Sequence, residues 1–165
     1  MAIDKKIAFL GGGNMAEALI KGILAAGTAR AGQMSVTDIS TDRLEYLKKT
    51  YGITIQKSNR DAVSGSDVVL LCVKPQVIEK VLEEIASAAD SGKLVISIAA
   101  GITLARIEKA LTANPRVVRV MPNTPALVLA GAAALTGGKN ATGDDLAVAQ
   151  SIFTSVGRAW WSKKN

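Results

Sequence analysis

The chain has 165 residues, with 20 Lys+Arg against 14 Asp+Glu for a formal net charge of +6, no histidine, and one cysteine, Cys72. A lone thiol without imidazole excludes a disulfide framework, a Cys/His zinc site, and Ser-His-Asp or Cys-His nucleophilic machinery. It also fits a reducing, cytoplasmic compartment. The hydrophobic share of 48% argues against disorder, and the aromatic share of 4% predicts an aliphatic core of the kind found in parallel sheets covered by helices.

Ile7–Leu10 is the first apolar run of strand length. Lys5 and Lys6 ahead of it imitate the start of a secretion signal, but Gly11, Gly12, Gly13 and Asn14 end the run too early for one. Met15, Ala18, Leu19, Gly22 and Ile23 then share one helical face. Met34–Val36 reads as a second strand, followed by a short helical stripe of Leu44, Leu47 and Tyr51 that stops at Gly52. Val68–Val73 is the longest apolar run, and Pro75 suits the first turn of a helix whose face is Ile78, Val81, Leu82 and Ile85.

Leu94–Ile98 and Val117–Val120 are further strands. The uncharged stretch from Val120 to Gly138 contains Pro122, Asn123, Pro125 and Gly131, which speak against a membrane-spanning helix. A last helical stripe, Leu146, Ala149, Phe153 and Val156, precedes Gly157. The best strands are continuous rather than alternating, as strands buried on both faces are. Their alternation with helices predicts an α/β fold of Rossmann type, doubly wound, with a mainly parallel sheet and helices on both faces. One domain spanning 1–165 is expected.

The densest chemical signal is Gly11-Gly12-Gly13-Asn14-Met15-Ala16, a G-x-G-x-x-A fingerprint that closes the first strand and opens the first helix. The first glycine permits a tight turn, the second lets backbone approach a pyrophosphate, and the small third residue brings helix and strand together. Free N–H groups at the helix start then meet negative charge. Asp38, at the end of the second strand, stands where a ribose-reading acid belongs and favours NAD(H) over NADP(H). Ser40 and Arg43 lie close enough to hold a phosphate instead, and a turn or capping role for Asp38 is the competing reading. The basic residues are scattered and aromatics few, so no nucleic-acid partner is expected.

These motifs, together with Ser58-Asn59, Val73-Lys74-Pro75, Ser97-Ile98-Ala99-Ala100-Gly101 and Arg119-Val120-Met121-Pro122-Asn123-Thr124-Pro125, resemble those of the pyrroline-5-carboxylate reductases over essentially the whole chain. The resemblance implies NAD(P)H-dependent reduction of a cyclic imine, 1-pyrroline-5-carboxylate, to proline, with NADP or NAD as cofactor, no metal and no membrane. It implies that Leu10, Gly11, Gly12, Gly13, Asn14, Met15 and Ala16 wrap the pyrophosphate. Asp38 and Ser40 would meet the ribose or its 2′-phosphate, and Asn59 the adenosine ribose. Cys72, Val73, Lys74 and Pro75 would line the cofactor's path, and Ala99, Ala100 and Gly101 its nicotinamide end.

Asn123 and Thr124, after a buried strand, are the candidate catalytic residues; a brace for the Pro122–Pro125 turn is the plainer reading of Asn123. Cys72 reads as a small buried hydrophobe and Lys74 as a cofactor contact rather than a catalytic amine. Members of this family also carry an all-helical domain that builds a homo-oligomer and binds the substrate. Its Ser/Thr-Gly-rich segment has no counterpart in these 165 residues. The expectation is therefore a cofactor-binding part with little turnover by itself, whose Trp160 and Trp161 form an exposed apolar surface where a partner domain packs. The alternatives are a non-catalytic NAD(P)-sensing module and a reductase of the 3-hydroxyacid dehydrogenase type.

Overall fold

A computed structural model describes residues 2–122 and 131–161. Among them, eight strands form one sheet in the order β3-β2-β1-β4-β5-β6-β7-β8. The strands are β1 (Ile7–Leu10), β2 (Met34–Thr37), β3 (Thr54–Ile55), β4 (Val68–Leu71), β5 (Leu94–Ser97), β6 (Arg116–Pro122), β7 (Gly131–Gly137) and β8 (Gly157–Trp161). All neighbours pair in parallel except β6 and β7. The first six strands thus have the doubly wound order, with the direction of winding reversing between β1 and β4.

Every residue of β1, β2, β4 and β5 is buried, which is why their sequences read as unbroken apolar runs. Alternate side chains feed two separate cores. Ile7, Phe9, Val68, Leu70, Leu94 and Ile96 face α1 (Asn14–Ala26), α2 (Thr41–Tyr51) and α6 (Gly143–Thr154). Ala8, Leu10, Val69, Leu71 and Val95 face α3 (Asn59–Ser64), α4 (Ile78–Ile85) and α5 (Leu104–Ala110). The expected fold class is the one observed.

Several boundaries differ. The expected strand Val68–Val73 ends at Leu71, because Cys72 and Val73 turn out of the sheet towards Pro75. Pro75–Val77 forms a 3-10 turn, and the α-helix begins only at Ile78. β3, α3, α5, β7 and β8 have no counterpart in the sequence reading. β3, α3 and α5 span two, six and seven residues, too few for a period to show. β7 is built from glycine, alanine, leucine and threonine, a composition of weak strand preference, and owes its form to antiparallel pairing with β6. The backbone of Gly157–Trp161 forms β8, paired in parallel with β7; the side chains of Trp160 and Trp161, on which the expected apolar surface depends, lie outside the described residues.

The β6–β7–β8 extension is fastened by a charged clasp. Thr142 caps α6 by accepting a hydrogen bond from the Asp145 N–H at 3.1 Å, while the Asp145 carboxylate accepts from the Thr142 N–H at 3.0 Å. The same carboxylate, only 6% exposed, accepts from Arg116 Nε at 2.8 Å, and the Arg116 guanidinium also donates to the Ser91 carbonyl. This joins the start of β6 to the start of α6. Asp145→Ala removes the cap and strands the arginine, so it is expected to cost about 2–4 kcal/mol in urea unfolding at pH 7.

Candidate functional site

The carboxyl ends of β1, β2, β4 and β5 converge on the place where the winding reverses, which is where open α/β sheets leave a crevice. β1 leaves the sheet through Gly11, whose φ is +100°. A Cβ there would lie 2.8 Å from the Cys72 carbonyl oxygen, so glycine is required by both conformation and space. The Cys72 N–H donates to the Leu10 carbonyl at 2.8 Å, and the Gly11 N–H to the Thr37 carbonyl at 2.9 Å. The exits of β1, β2 and β4 are thereby locked together.

Gly12 is buried and faces Leu47 and Val36, and its N–H donates to Asp38 Oδ2 at 2.8 Å. Gly13 differs from both: a Cβ added there would meet nothing within 4 Å, in an ordinary backbone conformation of φ −78°. It is also the N-cap of α1 and contributes no side-chain cap. The N–H groups of Asn14, Met15 and Ala16 therefore open the helix without intrahelical acceptors. Open space beside uncapped N–H groups at a helix start fits an anionic, phosphate-bearing ligand. Leu10 and Ala16 are fully buried, so each offers such a ligand backbone only.

Asp38 follows β2, and both of its oxygens are engaged, Oδ2 by Gly12 and Oδ1 by the Ser40 N–H at 2.8 Å. The bracing role raised as the competing reading is therefore real, and it leaves lone pairs on both oxygens. Ser40 caps α2 by accepting from the Arg43 N–H at 3.2 Å. Asn59 sits at the same edge: its Oδ1 accepts from Thr37 Oγ1 at 2.5 Å and its Nδ2 donates to Glu84 at 3.0 Å. Across the crevice, Lys74 and Pro75 are exposed beyond β4, while Ala99 is buried and Ala100 and Gly101 are exposed beyond β5. The Ala99 N–H reaches Ser97 Oγ at 3.3 Å. Burial pushes the Cys72 thiol up to about 12, so it is protonated at neutral pH, in keeping with its reading as a small hydrophobe. Asn123 and Thr124 lie outside the described residues.

Sequence reasoning missed one cluster. Arg43 donates from Nε to the Gly12 carbonyl and from NH2 to Glu17 Oε1 at 2.6 Å, and its guanidinium lies 5.1 Å from the centre of the Tyr46 ring. Glu17 Oε2 accepts from the hydroxyls of Tyr46 at 2.7 Å and Tyr51 at 2.5 Å. Burial by itself would raise the Glu17 pKa, but the two hydroxyls and Arg43 outweigh it and lower the value. Glu17 stands in the first turn of α1, where an acid is common for its helix-dipole effect, so nothing in the sequence pointed to this cluster.

Comparison with known proteins agrees with this geometry. A family model described as NADP oxidoreductase, coenzyme F420-dependent, matches residues 6–101. The chain is 42% identical over 156 residues to a pyrroline-5-carboxylate reductase of Methanosarcina acetivorans, covering 94% of this chain and 58% of that protein. It is 39% identical over 157 residues to that of Escherichia coli, covering 95% and 58%. Among solved structures, a pyrroline-5-carboxylate reductase from Coxiella burnetii superposes with a TM-score of 0.94 at 38% identity, covering 99% of this chain and 60% of that one. One from Plasmodium falciparum, solved with NADP bound, superposes at 0.86 with 29% identity, covering 99% and 60%. The chain spans 58% of the length of those two curated relatives.

Two outcomes follow from the loop and the cluster. Gly11→Ala is expected to lose about 1–3 kcal/mol of stability, whereas Gly13→Ala stays within about 0.5 kcal/mol of the parent in the same urea titration. Because folding lowers the Glu17 pKa from its ordinary 4.5, its stabilisation is present above that value and lost as pH falls through the lower folded value. The stability gap between the parent and Glu17→Gln should accordingly shrink between pH 6 and about pH 3.

Proposed function

The chain belongs to the NADP oxidoreductase, coenzyme F420-dependent family, and from that premise we propose that it is the nucleotide-binding part of a pyrroline-5-carboxylate reductase. The observation that carries the reading is the open space beside Gly13 at the uncapped start of α1. The reading is supported by the 39–42% identity that the chain shows, over 156 and 157 aligned residues, with reductases of that name. Asn14, Met15 and Ala16 would hold the pyrophosphate of NADP or NAD through their N–H groups. Asp38 and Asn59 would face the adenosine ribose, and the backbone of Cys72–Pro75 and Ala99–Gly101 would flank the remainder.

The bound dinucleotide supplies the hydride that reduces a cyclic imine, so the protein's task is to place the two partners and exclude water. A protonated C=N is electrophilic already, and the chain's lack of histidine is no obstacle to its reduction. Asn123 and Thr124, next in sequence after β6, are proposed as the catalytic residues. The substrate carboxylate and the contacts that build a homo-oligomer would fall to the further helical part that the resemblance implies, and the lone thiol suits a cytoplasmic setting.

Titration of the chain with reduced dinucleotides, read by nicotinamide fluorescence, tests the assignment. Binding of at least one is expected, and Gly13→Ala should weaken it about tenfold or more by placing a methyl group where the phosphates approach. No binding of NADH or NADPH by the folded parent overturns the assignment. Binding without measurable imine reduction by the 165 residues alone is the expected division of labour. Full steady-state turnover by them would refute it.

A further inference from the structure

Around Asp38, the side chains do more than offer a ribose contact; they take away what a 2′-phosphate would need. A phosphate monoester brings about −1.5 to −2 charges at neutral pH, and a site that accepts it normally presents an arginine fork. Arg43 touches the glycine loop, and its guanidinium is engaged on three sides. Nε is turned to the Gly12 carbonyl, NH2 is paired with Glu17, and one face lies over Tyr46. Glu17 is itself fixed by the hydroxyls of Tyr46 and Tyr51, so the pair is held from both ends.

Asp38, by contrast, is held by backbone donors. The Gly12 and Ser40 N–H groups orient the carboxylate without neutralising it. Next to it, Ile39 is fully exposed at 104% relative accessibility, the most exposed large apolar side chain among the described residues. An isoleucine wholly in water costs hydrophobic free energy that a flat aromatic base laid on it would recover. Asp38 and Ile39 together thus match an adenosine whose ribose hydroxyls are free: acceptors for the diol and an apolar seat for the base.

We propose that this chain selects the unphosphorylated dinucleotide, NADH over NADPH, with Asp38 accepting from the ribose hydroxyls, Ile39 seating the adenine, and Glu17 with its two tyrosines latching Arg43 away from the 2′ position. This rests on the nucleotide-binding reading above. Specificity here comes as much from repulsion and a withheld cation as from attraction. Arg60, exposed in the first turn of α3 beside Asn59, and Lys57, exposed beyond β3, are further cations towards this edge.

Parallel fluorescence titrations of the 165-residue chain with NADH and NADPH at one fixed salt concentration decide the matter. The parent should bind NADH about tenfold or more tighter than NADPH. Asp38→Ser should reduce that ratio about tenfold. Adding Glu17→Gln should free Arg43 and tighten NADPH about threefold further, leaving NADH within about twofold of the single variant. Equal or tighter binding of NADPH by the parent overturns the proposal while leaving the nucleotide-binding reading intact, and Arg60→Ala would then test one of the further cations. Failure of the parent to bind either dinucleotide refutes both. If Glu17→Gln leaves NADPH affinity unchanged in the Asp38→Ser background, the latch is refuted. Circular dichroism checks that the variants fold, and the parent's own ratio decides the selectivity even if a variant does not.

Discussion

The crevice depends on one close contact, the seat of Gly11 on the Cys72 carbonyl. β1 lies inside the sheet between β2 and β4, and these two neighbours lead to opposite faces, β2 towards α2 and β4 towards α4. The chain must leave β1, turn sharply and start α1 without lifting off β4. With a φ of +100° and only 2.8 Å between the virtual Cβ and the carbonyl oxygen, no side chain can stand there. If the turn were looser, α1 would begin farther from the sheet, and its uncapped N–H groups would no longer overlook the gap between β1 and β4.

The electrostatics follow from that placement. The start of α1 carries partial positive charge, and it is bounded on one side by the Asp38 carboxylate and on the other by the backbone beyond β4 and β5. Among the described residues Arg43 meets the glycine loop through the Gly12 carbonyl, and its charge is balanced locally by Glu17. The net charge of +6 is therefore a poor guide to the crevice, since the residues that touch it were arranged pair by pair.

How much of this was legible depended on the range of the interactions. The buried parallel strands are written as continuous apolar runs, and the fingerprint follows the first of them directly, so both could be read from neighbouring residues. Gly52 ends α2 in the left-handed conformation as its position implied. β7 and β8 could not be read, because a Gly/Ala/Thr segment becomes a strand only when a long partner such as β6 is present to pair with it. The Glu17 cluster was equally hidden. Arg43, Tyr46 and Tyr51 lie 26, 29 and 34 residues from Glu17, and Glu17 and Tyr51 each had an adequate local explanation, as a helix-start acid and as part of an apolar helical stripe. Asp38 was half legible: its place in the sequence suggested a ribose contact, but its bond to Gly12 needed the fold.

The same distinction bears on the missing histidine. The described residues that line the crevice act through backbone N–H groups, through oxygens already oriented by neighbours, and through a thiol that stays protonated at neutral pH. None of these is arranged as a nucleophile with a base beside it, the arrangement that acyl or covalent chemistry requires. Such a surface binds and orients. A surface of this kind suits a reagent that brings its own reactivity, and a dinucleotide is a reagent of that kind. The composition that excluded histidine-dependent nucleophilic machinery and the geometry of the described part of the crevice therefore constrain function in the same direction, though they are independent observations.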